Sequence, residues 1–134
     1  MESKADGIGK EERSADEVRP NNRIKKVEFI SIAIFKAYQK LQHGTFEEKR
    51  LAQCIDRAIE DLKKDPLAGV IIPRRLWPEE YTKKYKINNL RKYNLPDGWR
   101  LIYTLVGNEI EIISIILEWF DHGGYEKRFG YKKR

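Results

Sequence analysis

Sulfur and imidazole are scarce in this sequence: 134 residues contain one cysteine, one methionine and two histidines. A lone Cys54 excludes an internal disulfide and suits a reducing compartment. It falls beside the apolar stripe of a helical pattern, where a buried small hydrophobe is expected rather than a nucleophile. His43 and His122 are far apart and have no cysteine cluster near them, so neither a metal site nor any other cofactor is expected. No stretch approaches the roughly 18 uninterrupted apolar residues of a membrane span, and the first residues lack the apolar core of a signal peptide. These absences lead to the expectation of a cytoplasmic protein that does not enter a membrane.

Charge is what the chain has in quantity: 36% of residues are charged, with a formal net charge of +6. That balance favours an anionic partner, nucleic acid or an acidic protein segment, or else describes a solvated lysine surface. Residues 1–22 alternate charges with Gly, Ser and Ala around isolated Ile8 and Val18. Such a stretch cannot offset the entropy of ordering and reads as a disordered tail. Residues 23–130 form one domain's worth of patterned sequence, and 131–134 a basic C-terminal tail.

The strongest pattern lies at 99–119. Segments 99–106 and 109–119 are rich in aromatic and β-branched residues, and Gly107-Asn108 between them suits a two-residue hairpin turn. That turn would pair Val106 with Glu109, Thr104 with Glu111, Ile102 with Ile113 and Arg100 with Ile115. One face then carries Trp99, Leu101, Tyr103 and Leu105 and should lie under helices. The other carries Arg100, Thr104 and Glu111 and should be the more open one. Asp121, His122, Tyr125, Lys127 and Arg128 follow directly, with a last helical turn expected over 125–129.

Upstream, residues 24–30 read as a strand. Ser31 caps a helix to about Gln42, Gly44 breaks it, and Thr45 with Glu48 makes a capping box that opens a second helix to about Lys64. Leu51, Ile55, Ala58, Ile59 and Leu62 form its apolar stripe. Two helices so closely joined should pair as a hairpin whose stripes the later sheet covers. Asp65-Pro66 ends the second helix, residues 69–73 read as a short strand, and 88–95 as another, followed by a Pro96-Asp97-Gly98 turn. Between them, residues 74–93 set seven Lys or Arg against two Glu, with Trp77, Tyr81, Tyr85 and Tyr93 interleaved. Arg74, Arg75, Lys83, Lys84 and Lys86 could neutralise RNA phosphates while the aromatic rings stack bases. Alternatively, the rings anchor a surface loop and the lysines stay solvated.

Strand, helical hairpin and sheet in this order resemble the RelE/ParE superfamily of bacterial and archaeal toxin–antitoxin pairs. The resemblance is carried by Lys26–Phe29 (KVEF), by Gly98–Tyr103 (GWRLIY), which is close to the family's Arg-Leu-Val-Tyr strand, and by Asp121-His122 with Tyr125. It implies an α+β fold, with an N-terminal strand and helical hairpin packed on a twisted antiparallel sheet. It also implies a toxin that cuts mRNA on the ribosome without a metal and inhibits translation, partnered by an acidic antitoxin. In such an endoribonuclease the 2′-hydroxyl attacks the adjacent phosphate, which needs a proton acceptor, cations around the phosphorane and a proton donor for the leaving oxygen. By position, Arg100 matches the family's phosphate-stabilising arginine, His122 resembles its general acid, and Tyr125 lies near its orienting tyrosine. Arg91, Lys92, Lys127 and Arg128 are further candidates for RNA contacts. The base has no evident counterpart, Glu111 being a carboxylate on the same predicted face. The chain departs from the family in its N-terminal extension, its enlarged basic segment 74–86 and the Gly-Gly pair between His122 and Tyr125. The alternative the resemblance leaves is a non-catalytic member of the same fold that binds nucleic acid, gyrase or an antitoxin.

Overall fold

The computed structural model describes residues 23–130, so the expected N-terminal and C-terminal tails lie outside the described residues. The order is β1 (Ile24–Phe29), α1 (Ile32–Gln42), α2 (Phe46–Lys64), β2 (Val70–Ile71), α3 (Glu79–Tyr85), β3 (Arg91–Asn94), β4 (Arg100–Gly107), β5 (Glu111–Phe120) and α4 (His122–Phe129). Short 3-10 turns precede α3 and β4. The strands form one open α+β sheet in the order β1-β5-β4-β3-β2.

The sheet is mixed, which corrects the antiparallel expectation. β1 runs parallel to β5, with Val27 beside Ser114 and Phe29 beside Ile116, while the other pairs are antiparallel. No turn joins β1 to β5, so the sequence carries no turn signature for their pairing. β1 is also an edge strand, and its exposed positions include Lys26 and Glu28, charges that discourage pairing with another chain.

The helical hairpin forms as its caps dictate. Ser31 accepts from Ile34 N at 3.2 Å. Thr45 Oγ1 accepts from Glu48 N at 3.1 Å, while the Glu48 carboxylate accepts from Thr45 N at 2.9 Å, completing the box. From α2, Leu51, Cys54, Ile55, Ala58 and Leu62 pack on Leu101, Tyr103 and Ile116 of the sheet. Each large aliphatic side chain so buried contributes about 1.5–3 kcal/mol. Cys54 is part of this core.

The β4–β5 hairpin exists, but its turn lies two residues later than the Gly-Asn pair suggests. Gly107 pairs with Ile112. Asn108 N donates to Glu111 O at 2.9 Å, and Asn108 Oδ1 accepts from Ile110 N and Glu111 N at 2.8 and 3.0 Å. The asparagine therefore closes the turn with its side chain rather than occupying a left-handed position. Gly107 is required for another reason: a Cβ there would stand 2.6 Å from Glu111 O. A displacement of two residues preserves which side chains share a face, so Thr104 still faces Ile115's side, although it opposes Ile115 instead of Glu111.

Beyond it, a bulge between Ile102 and Tyr103 leaves Leu117 unpaired. Ile102 then faces Glu118 and Arg100 faces Phe120 in place of Ile115. The β3 strand is shorter than expected because the Asn89 side chain takes over the pairing: its amide donates to Leu105 O and accepts from Leu105 N, both at 2.8 Å.

The second face of the sheet is covered, contrary to the expected open side. Ile72, Tyr81, Leu90, Ile102, Leu117, Tyr125 and Phe129 make a second core. Its lid is α3 and α4, both longer than the loop and terminal turn the sequence suggested. Tyr81 and Phe129 meet edge to face at 6.1 Å, and Tyr125 stacks on Phe129 at 4.6 Å.

Two tyrosines pin α2 to its neighbours: Tyr38 of α1 donates to Asp56 and Tyr93 of β3 donates to Asp61. Partial burial first, then the bonded carboxylate, pushes both hydroxyls up to about 12. A raised folded pKa gives stability that is complete below the unfolded value near 10 and lost as pH rises through about 12. The double variant Tyr38→Phe/Tyr93→Phe should be less stable than the parent by about 1 kcal/mol per hydrogen bond at pH 9. Urea denaturation should show that difference vanishing at about pH 12; a pH-independent difference would contradict the assignment.

Candidate active site

Where β3, β4 and β5 end beside the start of α4, the side chains able to handle a phosphate come together. Asn94 pairs with Arg100, and Lys92 with Ile102. Lys92 therefore shares the face of Arg100, and Arg91 points to the other. The loop between β3 and β4 bends through Asp97 at φ 62 and Gly98 at φ 81. Gly98 O accepts from Arg100 Nη1. Arg100 Nε is buried with no hydrogen-bond partner among the described residues.

Both cations lie over one ring. The Arg100 guanidinium carbon is 5.0 Å and Lys92 Nζ 4.8 Å from the Tyr125 centroid, and Lys92 Nζ donates to the Tyr125 hydroxyl at 3.3 Å. Tyr125 itself is 1% exposed, so in this conformation it acts as the platform that holds two cations together rather than as a group touching substrate.

His122 opens α4. Asp121 caps that helix, its Oδ1 accepting from Gly124 N at 2.8 Å, so the Gly-Gly pair is the first helical turn rather than a loose link. The His122 side chain is 62% exposed and its Nε2 is 3.0 Å from Glu126 Oε2. His122 also borders the turn that orients Arg100, since a Cβ on Gly98 would stand 3.7 Å from His122 Cβ. Arginine and lysine thus meet over the tyrosine at one end of the sheet, and the histidine borders the adjoining turn with its imidazole turned to Glu126. Glu126 was not among the expected residues. Its i,i+4 spacing from His122 becomes a signal only once the helix is known to begin at His122.

Glu111 is not part of this group. It sits at the opposite end of β5 as the 2.9 Å partner of Lys26, nine residues from Phe120 and so about 30 Å away along the strand. The carboxylate that does lie on this face is Glu118, brought there by the bulge. It accepts from Tyr81 Oη at 2.5 Å and from Arg128 Nη2 at 3.1 Å. Burial raises its pKa, with the Tyr81 hydrogen bond and the Lys84 charge opposing. Burial and the neighbouring carboxylate likewise raise that of Tyr81.

The expected RNA-contact residues divide by environment. Arg74, Arg75, Lys83, Lys84, Lys86 and Lys127 are exposed. Arg74 lies 4.8 Å over the Trp77 ring, Lys84 is 5.4 Å from the Tyr85 ring, and Lys83 pairs with Glu79 at 3.4 Å. Trp77, Tyr81 and Tyr85 pack into the second core, and Tyr93 packs on the first. These rings therefore anchor the basic segment to the sheet, the second of the two readings. Arg91 is committed to structure: its Nη1 donates to Gly69 O at 2.7 Å and Leu67 O at 3.3 Å. Arg128 is held between Glu80 and Glu118. Among the described residues there is no group of three or more His, Cys, Asp or Glu able to hold a metal ion, and no helix long and apolar enough to cross a membrane.

Comparison with known proteins adds no relative to this picture: no family model, no curated protein and no solved structure matches the chain.

Tyr125 offers a test of the platform. Tyr125→Phe keeps the ring and both cation contacts, and should change stability by no more than about 1 kcal/mol. Tyr125→Ala opens the second core and should cost about 3–5 kcal/mol in chemical denaturation. Equal losses from the two substitutions would place the weight on the hydroxyl instead.

Proposed function

We propose that this chain is a RelE-like toxin of a toxin–antitoxin pair, a ribosome-dependent mRNA endoribonuclease that works without a metal and stops translation. The reading rests on a strand, helical hairpin and sheet in the family's order, and on Arg100–Tyr103 of GWRLIY falling on the central strand β4. The observation that carries it is the seating of Arg100 and Lys92 over the Tyr125 ring at one sheet end, with His122 bordering the turn that precedes Arg100.

Arg100 and Lys92 would bind the scissile phosphate and stabilise the added charge as the 2′-hydroxyl attacks phosphorus. Attack forms a 2′,3′-cyclic phosphate as the 2′-hydroxyl passes its proton to solvent water, and it expels the 5′-oxygen, which takes a proton from His122. An imidazole suits that task because its unperturbed pKa lies near neutrality. Glu126, 3.0 Å from His122 Nε2, would fix the imidazole's orientation. Tyr125 would act as a positioning residue through the two cations.

One observation favours a second reading. Arg100 and Lys92 lie over a buried ring beneath α4, an arrangement that also suits a non-catalytic RelE/ParE-fold protein binding nucleic acid, gyrase or an acidic antitoxin. Binding by such a protein should survive His122→Ala and weaken steeply with salt as counterions are released.

Mapping of mRNA 5′ ends on translating ribosomes separates the two. The intact chain should generate new 5′-hydroxyl ends within codons. Arg100→Ala and His122→Ala should each reduce their yield by about 10²-fold or more while the fold, followed by circular dichroism, persists. Intact mRNA with the wild-type chain, or cleavage indifferent to both substitutions, would sink the nuclease reading.

A further inference from the structure

Beside Phe120, at the end of β5, there is a cleft that the cleavage scheme does not use. Its volume is about 430 Å³ and it is lined by Glu80, Phe120, Gly124, Lys127 and Arg128, within the size range of small-ligand sites. Phe120 is the last residue of β5 and directly opposes Arg100, so its ring shares the arginine's face and the two backbones are one strand spacing apart. Arg128 lies with its guanidinium carbon 5.4 Å from the Phe120 centroid. Glu118 holds it at 3.1 Å and Glu80 holds its other nitrogen, which fixes the guanidinium in place before any ligand arrives. Gly124 borders Phe120: a Cβ there would make ordinary contact, 3.5 Å from Phe120 Cβ and 3.6 Å from Cδ1.

A flat ring, two adjacent cations and an acceptor-only carboxylate form an unusual set. A site for a bare anion has no reason to include a carboxylate, and an apolar pocket has no reason to include three charges. The combination matches a ligand with a planar face, hydrogen-bond donors on its edge and a phosphate. We propose that the cleft between α3 and α4 seats one nucleobase of an RNA strand flat against Phe120. That nucleotide's phosphate lies on Lys127, beside the carboxylate-held Arg128, and the Glu80 oxygen not paired with Arg128 accepts from the base edge. This rests on the reading of the chain as a protein that acts on RNA, and adds a base-reading subsite beside the phosphate cations. A carboxylate that can only accept favours bases with an exocyclic amino group, adenine, cytosine and guanine, over uracil.

Binding of nucleoside monophosphates to the full chain tests this without requiring cleavage. In amide chemical-shift titrations, AMP, CMP and GMP should move the signals of Phe120 and Gly124. Each should bind more tightly than UMP, and about tenfold more tightly than inorganic phosphate. Phe120→Leu, with folding checked by its melting curve, should weaken nucleotides about tenfold and leave phosphate unchanged. Glu80→Gln, which can also donate, should erase the difference between CMP and UMP. Filling the cleft with Gly124→Leu should abolish nucleotide binding if the variant retains its helical circular dichroism. Phosphate binding as tightly as the nucleotides, shifts confined to other residues, or indifference to Phe120→Leu and Glu80→Gln would each overturn the subsite. Nucleotide binding with no mRNA cleavage would remove the nuclease and keep the subsite; cleavage without nucleotide binding would do the reverse.

Discussion

The pairing of β4 with β5 is the constraint on which the rest of the molecule depends. Leu101, Ile102, Tyr103, Ile116 and Leu117 along these two strands are all fully buried, and they point to both faces of the sheet. A sheet that is apolar on both sides cannot face water on either, so the chain must supply two lids. The helical hairpin supplies one through the stripe on α2. The segment containing α3, together with α4, supplies the other, and it does so with aromatic side chains. Tyr81, Tyr125 and Phe129 fill a layer that short helices could not fill with aliphatic residues. The chemistry at the sheet end follows from this, because an aromatic lid brings with it the Tyr125 ring over which Lys92 and Arg100 lie.

The bulge in β5 shapes that lid. One extra residue at Leu117 turns Glu118 and Phe120 onto the second face, where a regular ladder would have put their odd-numbered neighbours. Glu118 then meets the Tyr81 hydroxyl and the Arg128 guanidinium in a partly desolvated setting. A carboxylate so placed is tolerable only because it is hydrogen-bonded on both oxygens. In exchange it ties α3, β5 and α4 into one unit, so the lid cannot open at α4 without unpairing Arg128 from two carboxylates.

Much of the fold was legible in the sequence, and the reasons for the misses are specific. Both helix caps, the α2 stripe, the buried Cys54 and the existence of the terminal hairpin all rest on local patterns, and local patterns suffice for them. The turn position failed because Gly107 and Asn108 serve other purposes, close strand approach for one and side-chain capping of the turn for the other. The parallel β1–β5 contact failed because it joins segments distant in sequence with no connecting turn to announce it. The bulge failed because Leu117 and Glu118 look the same in either register. Assigning Arg100 to the face opposite the helical hairpin survived both errors, since a displacement of two residues on the ladder preserves parity and the bulge lies on the partner strand.

Candidate site residues were legible as residue types and not as an arrangement. Arg100 and His122 could be named from the chain; their common border, the turn at Gly98, could not. Lys92 and Arg91 are adjacent in sequence and chemically alike, yet the five-residue connection between β3 and β4 sends one to the Tyr125 ring and the other to the carbonyls of Leu67 and Gly69. Composition would assign both to RNA. Only the register separates a cation free to meet a phosphate at the sheet end from one already spent on holding a loop. The same logic divides the basic segment: Trp77, Tyr81 and Tyr85 are drawn into the core by the sheet's need for a second lid, and Lys83, Lys84 and Lys86 stay exposed, where their charges remain solvated. A basic surface thus arises here as a by-product of burying aromatic residues, and selection for an anionic partner could act on charges that the fold had already brought to the outside.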